Sequence, residues 1–328
     1  MKQPLAVSVA ATAAVGGLIF FIARAAARKK APEPPTDSDV ERWAVVRGKR
    51  LHVVFHEHAA GREVPTLVLI HGLGGQIGQW DAQIAHFCQV ANVLAIEWVG
   101  NGKSDRPLGD ADYETRSIVE DIADVLDGYK EKLISHSYGC VLASHLYPLA
   151  PTSISAMIFI APKGPPSAHE IASVSSLLKL PTPIVNIFRY FDRRGGVNSK
   201  SVNRMLGKKA TAELRERQLV WNRENETGVL KRVLKGATWP TQDTYKQITC
   251  PVLLIGGSAD HVTPLNINLE LIHSWLGSSP TPVIVPEAGH IVMAEEPDVV
   301  NAVMHNWLIE CGLSKTLLGP AAADPGSI

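Results

Sequence analysis

The stretch KLISHSYGCVLASHLY, residues 132–147, reads as a short apolar strand that turns directly into an apolar helix. Ser137 stands at the join, two residues after Ser135 and two before Gly139. Strand and helix can approach this closely only if small residues flank the turn, and a serine on such a turn is held out, strained, at the end of a sheet. Gly139 meets that demand. Ser135 is small but stands where glycine is usual. Taken alone, an S-x-G tripeptide arises by chance, and Ser137 would then be an ordinary helix N-cap.

Working outward, the chain alternates strand-like and helix-like runs. WAVV and LHVVF flank Gly48 within residues 42–56 and predict a hairpin. LVLI (67–70), NVLAIEW (92–98), SAMIFIA (155–161), PVLLIGG (251–257) and TPVIVPE (281–287) are short apolar runs of the kind buried on both faces of a sheet. Between Ser117 and Tyr129, Ile118, Ile122, Val125 and Leu126 share one helix face. Strands separated by helices imply an α/β fold: a mostly parallel central sheet with helices on both faces. The alternation lapses over about residues 162–249, which predicts a helical insertion capping the site, with Leu177, Leu178, Ile184, Ile187 and Phe188 as its apolar lining.

Three further motifs follow predicted strands. HGLGG (71–75) is a glycine-rich turn whose backbone N–H groups can point inward, and Leu73 and Tyr138 are the expected oxyanion donors. It lacks the G-x-G-x-x-G pattern and the lysine of a phosphate loop. GGSADHVTP (256–264) places Asp260 just beyond a strand, and PEAGHIVMAEEP (286–297) does the same for His290. A turn aspartate and a structural histidine would look alike in isolation. The chain order Ser, Asp, His is what joins them.

These motifs resemble the α/β-hydrolase fold family over about residues 42–310. SHSYG, TWP, PVLLIGGSAD and GHIVMAEEP bring the chain nearest to the branch around abhydrolase domain-containing protein 8. The resemblance implies a serine hydrolase with a Ser137–His290–Asp260 triad that needs no cofactor. EWVGNGKSDRP (97–107) is similar to a loop of that family, with Glu97 in place of an aspartate and Asn101 in place of a common histidine. Serine at the elbow argues against the epoxide hydrolases and haloalkane dehalogenases of the same fold, which use a carboxylate there. The acyltransferase variant often carries H-x-x-x-x-D, whereas Glu295 stands at that position here. A non-catalytic adaptor on the same fold is the reading of a different class.

Composition narrows the function. Among 328 residues, 32 Lys+Arg balance 32 Asp+Glu, so no basic excess favours nucleic acid and no acidic excess suggests a solvating tail. Cys88, Cys140, Cys250 and Cys311 show no C-x-x-C spacing and read as free, buried thiols of a reducing compartment. The 12 histidines form no H-E-x-x-H motif, and no metal is expected.

The N-terminus differs from the rest. Residues 3–23 carry no charge, residues 9–23 are almost wholly apolar or small, and Arg24, Arg28, Lys29 and Lys30 follow. This predicts a single-pass membrane anchor over residues 1–30, with the catalytic domain on the cytosolic side. A cleaved signal peptide and a mitochondrial presequence are the alternatives, and the endoplasmic reticulum and the outer mitochondrial membrane are not separated. Residues 31–41 read as a flexible tether and 312–328 as a frayed tail. An anchor and an apolar cap together point to a lipid-like acyl substrate. Asn225-Glu226-Thr227 is a glycosylation sequon, whose occupancy would place the domain in a lumen instead.

Overall fold

The computed structural model describes residues 40–61, 64–127, 131–276 and 280–312. The predicted anchor, the tether up to residue 39 and the tail from 313 lie outside them. Among the described residues, no single helix is long and apolar enough to cross a membrane.

Eight strands form one sheet in the order β1-β2-β4-β3-β5-β6-β7-β8. They are β1 (Glu41–Val46), β2 (Lys49–His56), β3 (Thr66–Ile70), β4 (Asn92–Glu97), β5 (Glu131–His136), β6 (Ile154–Ile160), β7 (Val252–Gly257) and β8 (Val283–Val285). The β1–β2 hairpin turns through Arg47 and Gly48, both at positive φ, and β2 pairs antiparallel with β4; every later pairing is parallel. β3, β4, β5 and β7 are buried along their length because both faces are covered. Leu67 and Leu69 pack with Trp80, Phe87 and Met304 on one side, while Val68 and Ile70 pack with Ile118, Val141 and Phe159 on the other. This is the two-residue alternation of a strand read between two apolar layers.

The covering helices are α1 (Asp81–Phe87), α2 (Thr115–Val125) and α3 (Tyr138–Leu146), then α10 (Leu269–Leu276), α11 (Val292–Glu295) and α12 (Pro297–Glu310) after the insertion. Between β6 and β7 the chain inserts α4 (Ala168–Lys179), α5 (Thr182–Arg193), α6 (Lys200–Met205), α7 (Ala212–Glu224), α8 (Thr227–Gly236) and α9 (Gln242–Lys246). Ser167 opens α4 with a capping box that includes Glu170. β8 is shorter than TPVIVPE suggested, since Pro282 and Pro286 bracket it and cannot donate to the ladder.

Two expectations need correction. The four cysteines are free, but only Cys140 is buried; Cys88, Cys250 and Cys311 sit at element ends and are half-buried. The apolar run of the insertion does not turn inward as a whole, as the site shows.

β3 lies between β4 and β5, so the strand order reverses beside it. Such a reversal opens a crevice beyond the carboxyl ends of the strands, where ligands of open α/β sheets bind. HGLGG leaves β3 there and Ser137 leaves β5.

Candidate active site

Ser137 adopts φ 54°, ψ −118°, a region costly for a residue with a side chain. Its N–H donates to the Ile160 carbonyl at 2.9 Å, and its own carbonyl accepts from Cys140 N–H at 3.0 Å. A Cβ on Gly139 would run into the Ile70 and His71 carbonyls, so the helix can lie against the end of β3 only because glycine is there. Gly72 is equally constrained, by the Ser137 Cβ at 2.8 Å. Ser135 satisfies the elbow in place of glycine: it is fully buried, and its hydroxyl donates to the Ile158 carbonyl at 3.3 Å.

Asp260 and His290 converge on Ser137 from the ends of β7 and β8. His290 Nε2 lies 2.9 Å from Ser137 Oγ, and His290 Nδ1 lies 2.8 Å from Asp260 Oδ2. All three side chains are buried. Burial alone would raise the Asp260 carboxyl, but the adjacent imidazole and the hydrogen bonds from His290 and Thr263 hold it well below the usual carboxylate range. Asp260 Oδ1 accepts the N–H groups of Val262 (2.7 Å) and Thr263 (2.9 Å), while the Thr263 hydroxyl lies 2.6 Å from Oδ2. The carboxylate is therefore fixed from both sides by its own turn.

His290 is held through its backbone too. Its N–H donates to the Met205 carbonyl at 2.9 Å, and its carbonyl oxygen lies 2.9 Å from His136 Nε2. Burial pushes His136 down to about 3 and His71 down to about 4, so neither competes as a cation near the site. Glu295 clamps the same loop: its two oxygens accept from Gly289 N–H (3.0 Å) and Gly207 N–H (2.7 Å).

A cavity of about 650 Å³ opens over Ser137, within the range of small-ligand sites. Leu73 and Tyr138 both line it. Tyr138 is the first residue of α3, so its N–H has no intrahelical partner and faces the turn. Two residues beyond HGLGG, the Ile77 N–H donates to Glu97 (3.2 Å), whose carboxylate also accepts from Lys103 N–H (2.7 Å) and contacts His52 Nδ1 (2.9 Å). Asn101 bonds the Trp98 and Val99 carbonyls and also reaches the cavity wall.

The insertion supplies the far wall with Val174, Leu177, Val185, Val229, Leu230 and Leu234, beside the polar Arg189, Gln218 and Asn222. Of the five apolar residues expected there, only Leu177 lines the cavity. Leu178 is half-buried elsewhere, and Ile184, Ile187 and Phe188 point outward and are exposed. Hydrophobicity along α5 is visible in sequence, but the direction its apolar face takes depends on which residues the neighbouring helices can satisfy.

Sequence reasoning missed Thr263, Glu295 as a clamp, and Asn225, whose amide donates to the Gly74 carbonyl at 2.8 Å across the cavity. The first was readable: in ADHVT an aspartate precedes a threonine by three residues, the spacing of a side-chain-capped turn. The other two depend on contacts between distant segments.

A serine raised on a strand-to-helix elbow at the switch point of a mainly parallel sheet defines the hydrolase class of α/β proteins. Residues 65–297 match the family model described as alpha/beta hydrolase fold, and the chain belongs to that family. It is 27% identical to an abhydrolase domain-containing protein of Schizosaccharomyces pombe, over 78% of this chain and 73% of that one. It is also 27% identical to protein ABHD8 of Mus musculus over 74% of this chain, and spans 55% of the mouse protein's length. Among solved structures, a thermophilic esterase from Thermogutta terrifontis superposes with a TM-score of 0.69, at 18% identity, covering 83% of this chain and 98% of the esterase.

Proposed function

We propose that the protein is a serine hydrolase cleaving a carboxylic ester or thioester, with a lipid-like acyl group as its preferred cargo. The observation that carries this reading is the unbroken chain from Ser137 Oγ through His290 to an ionised, doubly anchored Asp260. His290 Nε2 takes the proton as Ser137 Oγ attacks the carbonyl carbon. The Leu73 and Tyr138 N–H groups receive the oxyanion of the tetrahedral intermediate, a contribution of roughly 3–4 kcal/mol per donor in comparable sites. Collapse expels an alcohol or thiol, which leaves with the proton from His290 and an acyl group on Ser137. Water then attacks the acyl carbon, gives its proton to His290, and releases the acid as Ser137 Oγ recovers that proton.

Leu73, Val174, Leu177 and Val229 give one part of the cavity an aliphatic lining suited to an acyl chain. Hydrolysis is favoured over acyl transfer because Glu295 has both oxygens engaged by backbone N–H groups and sits behind the His290 loop. Residues 1–30 would hold the domain at a membrane, on its cytosolic side, which agrees with a substrate that partitions into lipid.

The test is turnover of a series of p-nitrophenyl esters and acyl thioesters of increasing chain length, by the wild type and by Ser137→Ala. Turnover should rise into medium chain lengths and be lost in the variant. No turnover of any member by folded wild type would sink the proposal. Adding an alcohol acceptor separates hydrolysis, which yields acid, from transfer, which yields a new ester.

A further inference from the structure

Helix α5 is inside out. A surface helix ordinarily turns its apolar stripe to the core and its charges to water. Here Val185, Arg189, Asp192 and Arg193 face the cavity, and the Arg189 guanidinium donates inward to the Asn222 and Asn225 carbonyls at 3.2 and 2.8 Å and to Thr227 Oγ1 at 2.7 Å. Arg193 donates to the Asn222 carbonyl at 2.8 Å. The outward face carries Ile184, Ile187, Phe188 and Phe191, the last three 55–64% exposed. Only Val185 of this helix is buried. Across the bend at residues 180–181, α4 has no buried residue and adds exposed Ile171, while Leu180 is exposed at the bend itself. The two helices together have the length and composition of a membrane span but meet at 111°, so they make a bent apolar surface rather than one rod.

We infer that the outer face of α4–α5 is a docking surface that seats in the headgroup–acyl boundary of a phospholipid bilayer. Contiguous apolar patches of this kind on a folded domain mark interaction sites. Three features select lipid as the occupant. Phe188, Tyr190 and Phe191 lie beside aliphatic residues, the mixture that interfacial helices bury at the depth of the upper acyl chain. Lys179 and Arg194 are exposed at the helix ends, and Lys231 caps the Leu180 carbonyl, so the apolar face is rimmed by cations that match anionic headgroups. A second copy meeting this face about a two-fold axis would instead bring those like charges towards one another. The chain outside the described residues points the same way: the apolar run at residues 9–23 precedes the domain by only sixteen residues, 24–39, a reach of no more than about 55–60 Å.

Because α5 separates this face from the cavity, docking would bring the cavity to within one helix diameter of the lipid, about 10–12 Å. The docking itself does not depend on catalysis, and its test needs none. Phe188→Trp in the full chain puts an indole at the centre of the face, and no tryptophan precedes Trp43, so the N-terminal run contributes no signal of its own. The protein is bound to phosphatidylcholine–phosphatidylserine vesicles whose acyl chains carry bromine, which quenches indoles within the bilayer. The expected result is quenching of the added indole by roughly half or more relative to the seven-tryptophan background of the wild type. Ile187→Asp combined with Phe188→Trp should remove that quenching while leaving fluorophosphonate labelling unchanged, since Ile187 does not line the cavity. Vesicle-bound protein without bromolipid quenching of the added indole overturns the inference. In that case, protection from acrylamide together with a doubled mass would identify a second copy, protection in a monomer would identify residues 9–23 as the cover, and full acrylamide access would leave the face in water.

Discussion

The side-chain amide of Asn225 donates to the main-chain carbonyl of Gly74 at 2.8 Å, tying the α7–α8 link of the insertion to the HGLGG loop. Gly74 needs its positive φ of 68°, and a Cβ there would collide with that same amide. The HGLGG loop is thus held from across the cavity by Asn225, while Glu97 accepts from Ile77 N–H two residues beyond it.

Asn225→Ala should therefore lower kcat by about tenfold with a smaller change in KM, as expected when a donor acting mainly in the transition state loses its support. Asn225→Asp, which sets an acceptor against an acceptor, should be worse than alanine. Steady-state kinetics on one soluble ester checks both, and an effect confined to KM would mean that the contact serves binding alone.

The same amide bears on topology. A glycan on Asn225 would occupy the nitrogen that reaches Gly74, inside the cavity wall. The proposed cytosolic placement expects peptide mass spectrometry of protein from eukaryotic cells to find Asn225 unmodified and the domain sensitive to protease added to intact microsomes or mitochondria. Protease resistance until the membrane is opened would contradict it.

Asp260→Asn should lower kcat by about 10³–10⁴, because an amide can present the wrong group to His290 Nδ1 and cannot stabilise the imidazolium. Thr263→Val should have a smaller effect, about tenfold, since the Val262 and Thr263 N–H groups still hold Oδ1. Single-turnover rates with circular dichroism as a folding control distinguish these from global loss of structure.

Glu131 opens β5 with its Oε2 buried and without a hydrogen-bond partner, and burial pushes its carboxyl up to about 8. The folded state keeps the proton that the unfolded chain releases near 4.5. Between those values the unfolded state binds fewer protons, so stability falls as pH rises from about 4.5 to about 8. Glu131→Gln removes this dependence: its advantage over wild type in urea unfolding should grow from pH 5 to pH 8. An advantage that stays flat across that window would show Glu131 to be solvated.

The alternation of strands and helices was legible because each parallel strand is short, apolar and bounded by turn residues, and the order Ser137, Asp260, His290 named the residues that meet. What was hidden has a common cause. Ile187 and Phe188 read as lining because an apolar helix face ordinarily turns inward, and the carbonyls of Asn222 and Asn225 with the Thr227 hydroxyl explain why Arg189 took that side instead. Cys250 and Cys311 read as buried from residue type, while their places at the edges of elements leave them half-exposed. Glu295 looked like a variant of a transferase motif and proves to be a backbone clamp.

The central claim is an activated serine at position 137, and the most direct measurement is labelling of the full chain by a fluorophosphonate probe beside Ser137→Ala. An activated Ser137 predicts rapid labelling of the wild type at that residue, located by peptide mapping, and none in a variant that melts as the wild type does. Absence of labelling in folded wild type, or labelling that survives in Ser137→Ala, would contradict it.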